Sequence, residues 1–255
     1  MLSDDELLRY SRQIMLPEFD VAAQEKLKRA RVMVVGLGGI GCPVALYLAA
    51  AGVGELLLVD FDTVDASNLQ RQVLFCAADI GRLKTAVAAE RLRLQNPHVR
   101  IRESGVLLSP DNAAELVASV DLVVDGCDNF ATRDLVNSAC VAGGRPLVSA
   151  AAIGFSAQLA VFDARRPDSP CYRCLYPDVD EAAAACAESG VLAPVVGVAG
   201  TLAATEALKL LTGVGQPLVG RLWLWEAANM AMRTLVVPRD AACAVCGVQR
   251  PAEAH

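Results

Sequence analysis

The apolar run Val32–Val35 opens directly onto Gly36-Leu37-Gly38-Gly39-Ile40-Gly41, and beyond the alanine-rich stretch Val44–Ala51 a second apolar run, Leu56–Val59, closes on Asp60. Strand, glycine turn, helix and strand within about 30 residues make a βαβ unit, the length that a right-handed crossover requires. This feature commits the chain to an α/β fold. Glycines in G-x-G-x-x-G let a backbone approach a phosphate at a helix N-terminus, and an acid at the end of the next strand can accept from ribose hydroxyls. Taken alone, the loop points to an adenine nucleotide, with a purely structural turn as the alternative.

The remaining pattern extends that unit into one large domain over residues 1–255, since 255 residues, 54% of them hydrophobic, with 19 Gly and 12 Pro, suit a single α/β core better than two. Residues 1–31 form an arm before the first strand, expected as helix, a break at Pro17, then helix. After a polar stretch at Asp62–Gln72 the periodicity predicts helix near Lys84–Asn96, strand near Val99–Glu103, helix at Asp111–Ser119, strand at Asp121–Asp125, helix at Thr132–Ala142, and strands at Pro146–Ala151 and Gln158–Phe162. Asp178–Gly190 reads as a loop or weak helix, Gly197–Leu211 as a helix ended by Gly213, and Leu222–Glu226 and Arg233–Val237 as terminal strands. The expected fold class is α/β, a doubly wound, Rossmann-like, mostly parallel sheet with an N-terminal helical arm and C-terminal antiparallel strands.

With 23 Lys and Arg against 29 Asp and Glu, the formal charge is −6, and the cations are scattered, so nucleic acid is not expected as a partner. The acidic start MLSDDELLRYSRQ has no signal-peptide pattern. The most apolar stretches, Pro146–Phe162 and Ser189–Thr205, contain Gly, Pro and small residues and read as core strands and a core helix rather than membrane spans. A cytoplasmic protein with no membrane partner is the expectation.

Two nucleotide chemistries compete for the glycine loop. A dinucleotide oxidoreductase needs little positive charge beyond it, whereas a triphosphate needs more. Ser67-Asn68-Leu69-Gln70-Arg71-Gln72, Lys84 and Asp128-Asn129 follow Asp60. Arg and Lys can clamp a triphosphate tail and offset charge moving onto departing pyrophosphate, and a carboxylate at a strand's end can hold Mg²⁺. Taken one at a time, Arg71 and Lys84 read equally well as solvated charges and Asp128 as a helix N-cap. Their joint placement at strand ends favours a site.

Nine cysteines without an export signal argue for metal or thiol chemistry over a disulfide framework. Cys171-Tyr172-Arg173-Cys174 and Cys243-Ala244-Val245-Cys246 form two C-x-x-C pairs, the ligand set of a structural, tetrahedral zinc that would tie residues 171–246 together. A redox pair or unlinked thiols are the alternatives. Cys186 is either a nucleophile or sulfur acceptor in a loop or an incidental thiol. Cys42, Cys76, Cys127 and Cys140 are expected as core thiols. Only His98 and His255 are available for Ser-His or Cys-His catalysis, and His98 reads as a turn residue.

Arg9-Tyr10-Ser11-Arg12-Gln13, the GLGGIG loop, Asp60, SNLQRQ, Lys84, Asp128-Asn129, CYRC, GVLAP and CAVCG, in this order and over nearly the whole chain, resemble the bacterial adenylyltransferases of the MoeB and ThiF type, related to ubiquitin-activating enzymes. The resemblance implies that the C-terminal glycine carboxylate of a ubiquitin-like sulfur carrier ending in Gly-Gly, of the MoaD or ThiS type, is joined to AMP from ATP with release of pyrophosphate. The acyl adenylate then accepts sulfur for thiocarboxylate formation, in molybdopterin or thiamine biosynthesis. It further implies that Gly36, Gly38, Gly39, Gly41, Asp60, Asp62 and the run Ser67, Asn68, Leu69, Gln70 and Arg71 bind the nucleotide together with Lys84, Asp128 and Asn129. Within that set, Gly39 and Asp60 would hold the adenosine part, Asn68, Arg71 and Lys84 the phosphates, and Asp128 the Mg²⁺. Arg12 would reach into the other protomer's site, which implies a homodimer. Cys186 aligns with a loop cysteine that the thiamine branch is thought to link covalently to its carrier.

The chain departs from the family's usual Asp-Cys-Thr-Asp-Asn with Asp125-Gly126-Cys127-Asp128-Asn129, which suggests a looser turn. No rhodanese domain is expected after the second cysteine pair, and a separate sulfurtransferase or cysteine desulfurase is expected to supply sulfur. Ala152-Ile153-Gly154-Phe155 with Gln158-Leu159 looks closer to the thiamine branch and Asp60-Phe61-Asp62-Thr63-Val64 to the molybdopterin branch. An NAD(P)- or flavin-dependent oxidoreductase and an inactive carrier-binding scaffold are the competing readings.

Overall fold

The computed structural model describes residues 1–177 and 190–247. Strand β1 (Arg31–Val35) lies between β2 (Glu55–Val59) and a later strand of the sheet, and β2 is flanked in turn by β3 (Arg100–Ser104). On the other side β1 pairs with β4 (Leu122–Asp125) and β4 with β5 (Pro146–Ile153), all four pairings being parallel. Three antiparallel pairings then add β6 (Ser156–Asp163), β7 (Arg221–Glu226) and β8 (Ala231–Val236), for the order β3-β2-β1-β4-β5-β6-β7-β8. Direction reverses at the two-residue turn between β5 and β6, where Gly154 takes a φ of +58° that only glycine adopts without strain.

Three helices form the arm: α1 (Asp4–Arg9), α2 (Ser11–Ile14) and α3 (Val21–Arg29). The arm breaks at Tyr10 as well as around Pro17, because the Tyr10 ring is buried and sits between α1 and α2. The crossovers are α4 (Gly41–Ala51), α5 (Lys84–Gln95), α6 (Pro110–Ala118) and α7 (Phe130–Gly143), followed by the short α8 (Tyr172–Leu175) and by α9 (Ala193–Thr212). One core layer joins α3, α4, α5 and α9 to the sheet, and the other joins α6, α7 and α8 to the opposite face. The doubly wound architecture expected from the sequence is the one observed.

Helix α9 starts four residues ahead of the expected Gly197, because Pro194 falls in its first turn, where a missing N–H is harmless. Its 20 residues are long and apolar enough to cross a membrane, but half of the apolar window is buried against α4, β5 and β6. A Cβ on Gly200 would lie 2.6 Å from the Ile40 carbonyl oxygen, so the close approach of α9 to the start of α4 requires glycine there. That approach brings α9 over the glycine loop.

Candidate nucleotide site and cysteine cluster

The carboxyl ends of β1 and β4 are where the chain switches sides, since β1 continues to β2 on one side and β4 lies on the other. In open α/β sheets ligands bind in this crevice. The narrowest points of the turn after β1 are set by backbone. Gly36 has φ +80°, and a Cβ there would lie 3.2 Å from backbone atoms of Cys127; a Cβ on Gly41 would lie 1.8 Å from the Gly36 carbonyl oxygen. Asp60, buried at the end of β2, braces the turn by accepting from the Leu37 N–H at 2.6 Å. Burial raises the Asp60 pKa above the ordinary carboxylate range, and the Leu37 bond and the Lys84 charge only partly counter it. Among the described residues, the N–H groups of Gly38, Gly39 and Gly41 donate to nothing in the chain. Amides gathered at a helix N-terminus form an anion cradle.

The polar stretch after β2 folds over this cradle. A 3-10 turn at Ala66–Asn68, capped by Asp65, leads to Arg71, whose Cγ would be 3.3 Å from a Cβ on Gly39; Val196 of α9 closes the same glycine from the other side at 2.8 Å. Arg71 is half-buried and donates to the Ser67 carbonyl at 3.1 Å. Ser67 and Gln70 are exposed, and Asn68 and Leu69 are half-buried. Lys84 is buried at 5% exposure and pairs with Asp62 at 2.8 Å, which excludes the reading of it as a solvated surface charge. An ammonium held this far from water needs a negative partner, and Asp62, itself about half exposed, supplies one beside the cradle.

The third component is the turn after β4. Asp128 stands exposed, and its neighbour Asn129 is the N-cap of α7, accepting from the Thr132 N–H at 2.8 Å. The capping role considered for Asp128 therefore belongs to Asn129, and the Asp128 carboxylate remains open to a cation. Asp125 is fully buried and accepts from the Ser149 hydroxyl at 2.9 Å and from the Cys127 N–H at 3.0 Å. Arg133 reaches the same turn from α7, donating to the carbonyls of Cys127 and Ala150. The turn is thus tightly tied, not loose: a Cβ on Gly126 would already be 3.1 Å from the Gly41 nitrogen. Arg133 and Ser149 carried no sequence signal of their own, and Asp125 was visible only as the first residue of the Asp125–Asn129 motif, with no role assigned to it.

Two expectations about cysteines are corrected. Cys42 and Cys140 are buried core thiols, with burial pushing Cys42 up to about 12, but Cys76 is exposed beside Arg91 and Cys127 lies half-buried at the site. Arg12 is exposed on α2, away from its own chain's site: its neighbour Gln13 touches Ala51 at the carboxyl end of α4, about 16 Å of helix from the glycine loop. Cys186 lies outside the described residues.

Cys171, Cys174, Cys243 and Cys246 come together, with all four sulfurs within 4.8 Å of one another. Separations of 4.0, 3.6 and 3.4 Å for Cys171–Cys174, Cys171–Cys243 and Cys174–Cys246 fit a tetrahedral ion whose bonds to sulfur space its ligands about 3.8 Å apart. Burial pushes the Cys171 thiol up; against burial, the N–H groups of Cys246 and Val245 bring Cys243 down to about 7. These four residues can hold a metal ion.

The ThiF family model matches residues 10–245, nearly the entire chain. The chain belongs to the ThiF family. It is 47% identical over 246 residues to the molybdopterin-synthase adenylyltransferase of Escherichia coli, covering 96% of this chain and 98% of that one. It is also 45% identical to the sulfur carrier protein ThiS adenylyltransferase of the same organism, over 96% of this chain and 97% of that relative. A crystal structure of E. coli MccB with ATP superposes with a TM-score of 0.84 at 28% identity, over 94% of this chain and 74% of that one. The resemblance drawn from the sequence motifs is therefore correct at the level of the ThiF family.

Proposed function

We propose that this ThiF-family chain is an ATP-dependent adenylyltransferase that activates the C-terminal glycine carboxylate of a ubiquitin-like sulfur carrier, of the MoaD or ThiS type, for thiocarboxylate formation. The observation that carries this reading is the convergence of Arg71 and the buried Lys84 on a glycine loop with unpaired amides, in a chain 47% identical end to end to a molybdopterin-synthase adenylyltransferase. The same convergence disfavours a dinucleotide oxidoreductase, which needs no such cations, and an inactive scaffold, which needs no such site.

One carboxylate oxygen of the carrier attacks the α-phosphorus of ATP, the bond to the bridging oxygen of the β-phosphate breaks, and pyrophosphate leaves with the electron pair. Attack brings negative groups together, and the cations offset that repulsion and the charge on the leaving group. No general base is required, because the carboxylate is ionised at neutral pH. The unpaired amides of the glycine loop receive phosphate oxygens, Asp60 receives the ribose, and Asn68, Arg71 and Lys84 hold the triphosphate. The open Asp128 carboxylate would hold Mg²⁺, which would supply further neutralisation of the phosphates. Cys171, Cys174, Cys243 and Cys246 would hold zinc as a structural ion, since four thiolates leave no position for substrate. Arg12 completes the site of the second protomer of a homodimer. A separate sulfurtransferase or cysteine desulfurase supplies sulfur, and the cell compartment is the cytoplasm.

The deciding experiment is ATP–pyrophosphate exchange with MoaD-type and ThiS-type carriers, each intact and truncated by its terminal Gly-Gly. Exchange that depends on an intact tail is expected, and the faster carrier names the branch. A folded, metal-loaded preparation that supports no exchange with either carrier overturns the reading.

A further inference from the structure

The arm that carries Arg12 is attached on both sides of that residue, and Arg9 adds an exposed bond to the Gln95 carbonyl at 3.0 Å. On one side the buried Tyr10 hydroxyl accepts from Asn96 Nδ2 at 2.9 Å, and the same Asn96 nitrogen donates to the Ala49 carbonyl at 2.7 Å. On the other side Gln13 Nε2 donates to Gln24 Oε1 at 2.6 Å and to the Ala51 carbonyl at 3.2 Å, while Gln24 Nε2 also reaches Ala51 at 2.9 Å. Ala49 and Ala51 are among the last four carbonyls of α4, which lack the regular i+4 partner, and Ala49 accepts in addition from the capping Gly52 N–H at 3.1 Å. The arm and Asn96 replace water there.

The fit is closed around Gly52, the left-handed cap of α4 at φ +86°, where a Cβ would lie 2.5 Å from the Tyr10 ring and 2.7 Å from Gln24 Nε2. Asn96 and Gln24 are both 0% exposed, so water cannot substitute for either bond. Helix α2 has four residues and no side-chain cap, and a single turn of that length does not hold itself. These bonds therefore set where α2 lies, yet none involves Arg12, whose side chain is left exposed.

We infer that Tyr10 and Gln13 are positioning residues for Arg12, clamping α2 onto the carboxyl end of α4 so that the guanidinium is preset to enter the active site of a second copy of this chain. The inference rests on the proposed shared site and goes beyond it by assigning the reach of Arg12 to two neighbours that touch neither substrate nor nucleotide. Misplacement of a reacting or stabilising group by about 1 Å costs on the order of a hundred-fold in rate. The four-residue helix would suffer such a shift if either clamp were lost.

The test uses carrier-dependent pyrophosphate exchange by tagged heterodimers purified after co-expression. Gln13→Ala and, as a milder second variant, Tyr10→Phe are expected to lower kcat about ten-fold or more as homodimers, with ATP affinity and dimer mass unchanged. In a Gln13→Ala/Lys84→Ala heterodimer, the Gln13→Ala protomer keeps its own Lys84 and receives an intact arm from its partner. About half of wild-type turnover should return, with an equal return for Tyr10→Phe/Lys84→Ala. Arg12→Ala/Lys84→Ala serves as the reference. If that reference recovers while the Gln13 and Tyr10 pairs stay impaired, the clamps act within their own chain and the inference is overturned. If the reference itself stays inactive, the shared site fails first. Homodimers of both clamp variants with unchanged kcat also overturn the inference.

Discussion

The glycine loop and the cysteine cluster are both places where distant parts of the chain meet, but they hold their shape by opposite means. At the loop, contact is backbone on backbone: Gly36 against Cys127, Gly41 against the Gly36 carbonyl, Gly126 against the Gly41 nitrogen. At the cluster, contact is side chain on side chain, with four sulfurs from two segments 72 positions apart along the chain. The first has its narrowest points set by peptide groups rather than by side chains that could rotate away. The second brings four thiols into one volume, and thiolates at that separation repel unless a cation lies among them. On the proposed function, one site would present a finished surface to its ligand, whereas the other would be finished by its ion.

The strongest way to break this comparison is to remove the metal. One zinc per chain is expected by elemental analysis, and its loss to a chelator, or the change Cys243→Ser, should cost more stability than any single substitution at the loop. Structural zinc of this kind binds with apparent energies of roughly 10 kcal/mol, and even a fraction of that exceeds a point change. A chelated preparation that melts at the same temperature as the loaded one would show that the cluster stands without an ion. The Gly41→Ala variant asks the converse question of the loop. Its Cβ would fall 1.8 Å from a carbonyl oxygen that belongs to backbone, and overpacking of that kind costs about 3 kcal/mol. The loss is read from the urea midpoint. A loss under about 1 kcal/mol would show that the loop relaxes around a side chain and is not preset.

Both sites were legible in the sequence for the same reason: each is written in short, contiguous motifs whose residue types have few other uses. The GLGGIG run and the paired C-x-x-C turns belong to this class, and so does the alternation of strands and helices that leads to the doubly wound sheet. The roles of Asp125, Arg133 and Ser149 were not legible, because a buried carboxylate bound to a serine two elements away has no local signature. The same holds for Lys84, whose type and position were visible but whose burial depends on Asp62 and on packing. Asn129 took the cap assigned to Asp128 because a one-residue difference at a helix start is decided by backbone geometry, not by residue type. The break at Tyr10 was missed because its cause, Asn96, lies 86 residues along the chain.

A third closure lies at the opposite ends of β1 and β4, and it relies on charge. Asp121 accepts from the Arg31 backbone N–H at 2.9 Å and from its guanidinium at 2.8 Å, next to the point where the two strands begin to pair. Burial works against the Asp121 carboxylate, but the Arg31 bonds and charge outweigh it and hold its pKa below the usual carboxylate range. Because the folded value is the depressed one, the pair contributes stability above the unfolded pKa of about 3.9 and loses it as pH falls through the folded value. Arg31 is 45% and Asp121 36% exposed, so solvent screens the pair and its contribution should stay below about 1 kcal/mol. Urea unfolding of Asp121→Asn against the parent chain should show that small deficit at pH 7 and a shrinking one below about pH 4. A deficit that persists undiminished at pH 2 would assign the closure to the backbone hydrogen bond, which a protonated carboxyl or an amide can still accept. In that case charge would drop out, and this end of the strands would be held, like the glycine loop, by the peptide group.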